Sequence, residues 1–364
     1  MSEILAGWSG RAAQLYQGKT GRKRRIMLGL LSVLALLIIV VSFGLGQYAV
    51  SPLNVIRILG TRLIEWTAGL FGRDLVLSRS WEAAAETVVI NIRLPRIILG
   101  VLVGAGLSVA GSTFQAIFRN PMVSPDVLGA SSGAAFGAAL AILLGWSSAG
   151  ISSLAFTFGM LSIALVLGVV SRLRSNRLLG LILTGIMVSS LFSSALSLLK
   201  LVADPQNDLP AITYWLMGSL AGARLTDARF AAPLIIVAVF VIWLLRWQLN
   251  LLTLPDDEAR SLGVNPSAAR LVLIVAATLI TAVCVAVSGM ISWVGLVIPH
   301  FARLLLGSDH RLVVPGSLII GAAFLPLVDN FARLLATSEI PLGILTAFIG
   351  APFYIYLIWR GSRR

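Results

Sequence analysis

The chain has one cysteine, Cys284, and two histidines, His300 and His310, in 364 residues. A single thiol closes no internal disulfide, and two histidines cannot build a multi-histidine metal site. No HExxH, CxxC or GxSxG run occurs, which removes the usual zinc-hydrolase, redox and serine-hydrolase signatures. Gly18-Lys19-Thr20 imitates the end of a phosphate loop, but Ala13 stands where that loop requires glycine, and no strand precedes it. Charge is also scarce, at 12% of residues. Inside the apolar runs Asp329 is the main charged candidate, and Arg333 four residues later supplies an i,i+4 partner. Transport coupled to protons or sodium uses ionisable groups near the membrane midplane. Their near absence points to energy supplied by a partner.

Apolar side chains are plentiful. They make up 58% of the chain, and the mean hydropathy is +0.94, which excludes a soluble globule. The formal charge of +13 raises nucleic acid as a partner, but the arginines sit in short loops between apolar runs. The positive-inside rule accounts for them better. About ten runs are long enough to be read as spans, near 26–49, 94–117, 126–146, 151–170, 178–199, 229–248, 270–289, 292–307, 312–335 and 342–360. An even number returns both termini to one side, and the basic loops make that side the cytoplasm. Residues 1–25 read as a basic cytoplasmic tail, and residues 26–364 as one polytopic, all-α membrane domain. The first run is too long for a signal-peptide core and lacks a small-residue cleavage site, so it stays as a span. Residues 50–92 form the longest external excursion, with an amphipathic piece over 52–66.

Three stretches carry more detail. In 93–137, Gly100, Gly104, Ser108 and Ser112 leave one helix face almost bare, suited to close helix approach in lipid. Asn120-Pro121 turns the chain, and Ser124-Pro125-Asp126 has the order of cap, first-turn proline and dipole-matched acid for a restarted helix. The inner loop 250–266, NLLTLPDDEARSLGVNP, predicts a short helix started by Pro255, with Asp256, Asp257 and Glu258 in its first turn. Gly263 ends it, and Asn265-Pro266 starts the next long helix. Such a helix is a solvated connector or a docking surface. In the fifth run Ser190, Ser194 and Ser197 share a face, which serves either helix packing or a polar path.

Together RLPR, Q-A-x-F-R-N-P-M-x-x-P-x-x-L-G-x-S-x-G-A from Gln115, A-x-x-L-G-V from Ala259, and G-L-x-x-P-H-x-x-R from Gly295 followed by D-H-R resemble the FecCD-type permeases. D-N-F-A-R, E-I-P-L-G and G-A-P-F extend the likeness, so that it covers residues 90–360. The resemblance implies a type II ABC importer permease with about ten transmembrane helices, embedded in the bacterial cytoplasmic (inner) membrane. It implies a second permease subunit (an identical copy or a paralogue), two ATPase subunits carrying ATP and Mg, and an external substrate-binding protein, periplasmic or lipid-anchored. This chain would bind no cofactor and no nucleic acid, and would not itself be an enzyme.

Site residues follow from the same likeness. Asp256, Asp257, Glu258, Ala259, Arg260, Leu262, Gly263 and Val264 would meet the ATPase. Arg333, and by looser match Arg57 and Arg62, would dock the binding protein. The path would be lined by Met187, Ser190, Ser194, Ser197, Thr346, Phe348 and Tyr354, with residues 215–219 as a short re-entrant helix. An uncharged lining of hydroxyls, methionine and small residues suits a bulky chelate rather than a bare ion. The expected cargo is a ferric siderophore, with haem or cobalamin behind it. An ion-coupled secondary transporter and a membrane-embedded enzyme are the readings from other classes.

Overall fold

In lipid, a backbone must satisfy its own hydrogen bonds, so apolar runs of this length fold as helices. The structure, a computed structural model, describes the backbone of residues 2–73, 75, 77–173, 177–336 and 338–361, and the side chains of these except 2–21, 70, 357, 358, 360 and 361. Among the described residues there are helices and no strand.

In chain order, α1 (Ser2–Gly44) is followed by the amphipathic α2 (Pro52–Leu70) and by α3 (Ala83–Thr87). A π-helical turn, Val88–Arg93, joins α3 to α4 (Leu94–Ile117), and a 3-10 turn, Pro125–Leu128, precedes α5 (Ala130–Leu143). Then come α6 (Ser148–Ser171), α7 (Arg177–Val202), the short α8 (Asp208–Leu216) and α9 (Leu225–Leu244). The remainder is α10 (Arg246–Leu252), α11 (Asp256–Ser261), α12 (Pro266–Ser288), α13 (Val294–Leu306), α14 (His310–Leu334) and α15 (Leu342–Gly361).

Among the described residues, seven stretches are long and apolar enough to cross a membrane, and three shorter apolar helices, α5, α13 and the Leu342–Tyr356 part of α15, accompany them. These are the ten runs expected from sequence. Two of the shifted boundaries have a local cause. The second span reaches back to Ala83 as one 35-residue helical stretch. Pro95 has no N–H to give the preceding turn, and the widened π turn, closed by the Leu94 N–H on the Val89 carbonyl, carries the helix through. At the other boundary, Ser124-Pro125-Asp126 starts only the 3-10 turn. Ser124 caps it, Gly129 (φ 80°) closes it, and α5 begins at Ala130.

α4 is the central strut, buried along most of its length. Gly104 faces the Gly321 carbonyl of α14, and Gly111 faces the Gly295 carbonyl of α13, so closely that a Cβ at either would overlap backbone. The bare face read from sequence is therefore where α14 lies. We call the two ends of the bundle the α2 end and the α11 end, after the short helices they carry.

Candidate functional site

At the α11 end, α11 is built as its sequence suggests. Pro255 precedes its first turn, three acids occupy that turn, and Gly263 adopts φ 83°. The Val264 N–H returns to the Ala259 carbonyl at 3.1 Å and the Gly263 N–H to the Arg260 carbonyl at 2.9 Å, so the C-terminus is closed by the chain itself. The Asn265 side chain accepts the Ala268 N–H at 3.2 Å, with Pro266 at the start of α12.

The eight expected residues of this segment then separate into two sets. Ala259 and Val264 are buried, and Asp256 is gripped by Arg270, whose two terminal nitrogens donate to both carboxylate oxygens at 2.8 and 2.6 Å. Those bonds hold the Asp256 carboxyl below the usual carboxylate range. Asp257, Glu258, Arg260, Leu262 and Gly263 are exposed, the Asp257 side chain at 96%.

The supports of α11 come from distant sequence. Arg119, itself in the left-handed region at φ 52°, donates through Nε to the Leu252 carbonyl at 3.1 Å, and its Nη2 reaches the Leu254 carbonyl. Its guanidinium also lies 3.4 Å from Asp256. The Asn250 amide donates to Asp309 at 2.8 Å and accepts the His310 N–H at 2.8 Å. Arg303 donates to Gln115 at 2.6 Å. These anchors, Arg119, Asn250 and Arg270, were missed in the sequence. Arg119 and Asn250 stood inside motifs, but nothing local marks Arg270 as a partner of Asp256.

Along the bundle, Met187, Ser190, Ser194 and Ser197 are exposed on α7 among the described residues. The Ser190 and Ser197 hydroxyls donate to the carbonyls of Ile186 and Ser193, each at 2.9 Å. On α15, Phe348 is 75% exposed and lines a cavity of about 580 Å³ with Met217, Met290, Ser292 and Ile344. The other two expected α15 residues are not on that wall. Thr346 and Tyr354 are buried, and the Tyr354 hydroxyl donates to the Pro121 carbonyl at 3.1 Å. Helical geometry explains the correction, because positions two before and six after Phe348 point to the other side of α15.

The Pro125–Leu128 turn joins the two walls. Gly129, which closes it, packs on Ser189 of α7, and Pro125 packs on Gly295, while the neighbouring Trp293 packs on Gly350 of α15. Asp126 is exposed there, with Ser124 and Ser131 donating to its carboxylate. The short helix expected over 215–219 is displaced: residues 217–219 are not helical, and the helix there is α8, which ends at Leu216 on the same surface. Its exit is pinned by Ser219 N–H to Ser288 O at 2.8 Å, Leu342 N–H to Gly218 O at 2.8 Å and Gly343 N–H to Met217 O at 3.0 Å.

At the α2 end, Arg57 is exposed and has no ion pair among the described residues. Arg62 is half-exposed and pairs with Glu65 at 3.2 Å and Glu86 at 2.5 Å. Arg333, the expected docking arginine, is instead buried. It pairs with Asp329 at 3.2 Å, donates to the Leu45 carbonyl at 3.2 Å, and hydrogen-bonds Asn330. A buried guanidinium needs such partners, and Asp329 as the i,i+4 neighbour was legible. Arg96 completes the cluster, with Nε and Nη2 on Asp329 at 2.9 and 2.7 Å and Nη1 on Glu339 at 2.8 Å. His300 packs against the rings of Phe353 and Tyr354, and no group of three metal-ligating side chains occurs among the described residues.

The profile of the FecCD transport family matches residues 34–360. The chain is 38% identical over 339 residues to the molybdate import system permease protein of Haemophilus influenzae, covering 93% of this chain and 96% of that one. It is 41% identical over 278 residues to a Helicobacter pylori permease named for iron chelatin transport, covering 76% and 84%. A solved transporter described as metal-chelate type, in an inward-facing conformation, superimposes with a TM-score of 0.79 at 36% identity, over 92% of this chain and 99% of that one.

Proposed function

The chain belongs to the FecCD transport family and is an ABC importer permease, and we propose that its cargo is a bulky metal chelate, a ferric siderophore before haem or cobalamin. The observation that carries this reading is the chemistry of the exposed wall. Met187, Ser190, Ser194, Ser197 and Phe348 offer hydroxyls, a thioether and a ring, with no cation among them. The titratable group on the turn between them, Asp126, is an acid and adds no cation. A bare oxyanion is held by guanidinium, ammonium or helix N-terminal donors, and these five side chains supply none of them. The identity to a molybdate permease favours an oxyanion as the second reading. The wall favours a chelate whose charge is already covered by its organic shell.

In this reading the α11 end faces the cytoplasm together with both termini. Asp257, Glu258, Arg260 and Leu262 meet one of two ATPase subunits, which carry ATP and Mg, and this chain alone hydrolyses no ATP. Met187, the serine face and Phe348 line a path completed by a second permease subunit. The substrate-binding protein docks at the α2 end, through Arg57 and Arg62 rather than Arg333.

The test is uptake into proteoliposomes containing the permease, its ATPase and its binding protein, with labelled ferric siderophore, haem, cobalamin and molybdate compared side by side. Transport of molybdate alone would overturn the chelate. Ser190→Leu combined with Ser194→Leu should reduce chelate uptake to background while the ATPase still assembles. Undiminished uptake would make the serine face a packing surface only.

A further inference from the structure

We propose that the α11 end carries a built site for one anionic phospholipid, between α6, α7 and α12, and that the bound phosphate braces α11. A cavity of about 550 Å³ opens there. Each of the three helices contributes polar residues at its terminus and apolar ones deeper. On α12 and its cap these are Asn265, Ser267 and Arg270, then Ile274. On α7 they are Arg177, then Leu181, and on α6 Ser171, then Leu167. From Asn265 to Ile274 is roughly 13 Å along the helix axis, so the apolar part lies a full turn or more below the polar rim. That layering matches a headgroup above an acyl chain. A free phosphate would have no use for the lower half.

The charge is complementary as well. Arg177 is exposed and has no carboxylate partner among the described residues. Among the described residues, Arg270 offers a buried Nε with no hydrogen-bond partner, and no acid lines the cavity. The positive ends of the α7 and α12 dipoles meet the same rim, against the single negative end of α6 at Ser171. Basic pockets between transmembrane helices at the cytoplasmic side are suited to anionic headgroups. The cavity is also separate from the cargo wall. Leu181 and Ser190 are nine residues apart on α7, which puts them on opposite faces at 100° per residue. Exposed Leu271, Val272 and Val275 continue the apolar surface of α12 beside the cavity.

Arg270 links this site to α11, because its terminal nitrogens hold both oxygens of Asp256. A phosphate beside the guanidinium restrains the side chain that positions the first residue of α11. The consequence for transport rests on the permease reading, but lipid binding itself does not.

Native mass spectrometry of the full chain, purified from nanodiscs containing equal phosphatidylglycerol and phosphatidylcholine, reads the site directly. One phosphatidylglycerol should be retained in preference. Arg177→Ala should weaken its retention about fivefold, the effect of one basic residue near a charged lipid. Leu181→Trp should expel the lipid while leaving both arginines, and glycerol 3-phosphate should not displace it. Equal retention of the two lipids, retention unchanged in Arg177→Ala, or displacement by glycerol 3-phosphate would overturn the site. ATP-driven uptake should be higher with phosphatidylglycerol than with phosphatidylcholine alone, and Arg177→Ala should remove that difference. Selective retention with lipid-indifferent uptake would overturn the bracing of α11. A chain inactive in every lipid would count against the transport reading and leave the retention result standing.

Discussion

Both ends of this bundle are rich in arginine, but they use it in opposite ways. At the α2 end three guanidiniums, those of Arg93, Arg96 and Arg333, are sealed in. Arg93 is 2% exposed and donates to the carbonyls of Phe43 and Tyr48, while Arg96 and Arg333 share Asp329. At the α11 end, Arg119 and Arg270 hold a short helix from behind, and Asp257, Glu258 and Arg260 stay in solvent. The first arrangement locks α1, α4 and α14 together; the second presents a surface. Position along the chain does not separate the two uses. Burial does, because a desolvated charge must be paired and is then unavailable to a partner.

The comparison can be broken most severely at the presented surface. Replacing residues 256–264 with a Gly/Ser linker should reduce ATP-driven uptake to background while the chain still inserts and the α2 end is unaffected. Full uptake in that variant would show that α11 is only a connector.

Next in size is the sealed cluster. Arg96→Ala leaves the buried Asp329 short of its bidentate partner, and losing one member of a buried pair costs about 3–5 kcal/mol. Thermal unfolding in detergent should show that loss, and Arg57→Ala, an exposed arginine, should stay within about 0.5 kcal/mol of the parent. Equal effects would erase the distinction between the two classes of arginine.

A smaller change is expected at the brace. Asp256→Asn should weaken ATPase association several-fold with little change in stability, since Asp256 is only partly buried. Because the native carboxyl titrates below its ordinary range, the Asp256–Arg270 brace is complete above that range and is lost only as pH falls through the depressed value. Association measured from pH 8 down to pH 5 should therefore show no step from this pair. A step near neutrality that Asp256→Asn abolishes would contradict the pairing.

The smallest effect belongs to the exposed arginines of the α2 end. Arg57→Glu should weaken binding-protein affinity modestly and make the remainder less salt-sensitive, as exposed charges do. Arg62→Glu should also disturb Glu65 and Glu86, so a fall in stability for Arg62 alone would separate its structural role from docking. Unchanged affinity in Arg57→Glu would remove that residue from the interface.

Much of this was legible in one dimension. Long apolar runs require helices in lipid, the Gly100–Ser112 spacing marks a bare face, and the Pro255, Gly263 and Asn265-Pro266 punctuation defines α11, since caps and dipole charges act within a turn. Periodicity places Ser190, Ser194 and Ser197 of α7 on one face, and all three are exposed. What stayed hidden depends on partners hundreds of residues away. Arg96 and Asp329 are 233 positions apart, and Arg119 and Leu252 are 133. Motif position alone put Arg333 at a surface and Thr346 and Tyr354 on a path, whereas packing turned all three inward. Local sequence determines where a helix starts, stops and turns its apolar side. Only the packing of those helices decides which of two arginines is desolvated, because burial depends on neighbours that the chain brings from elsewhere.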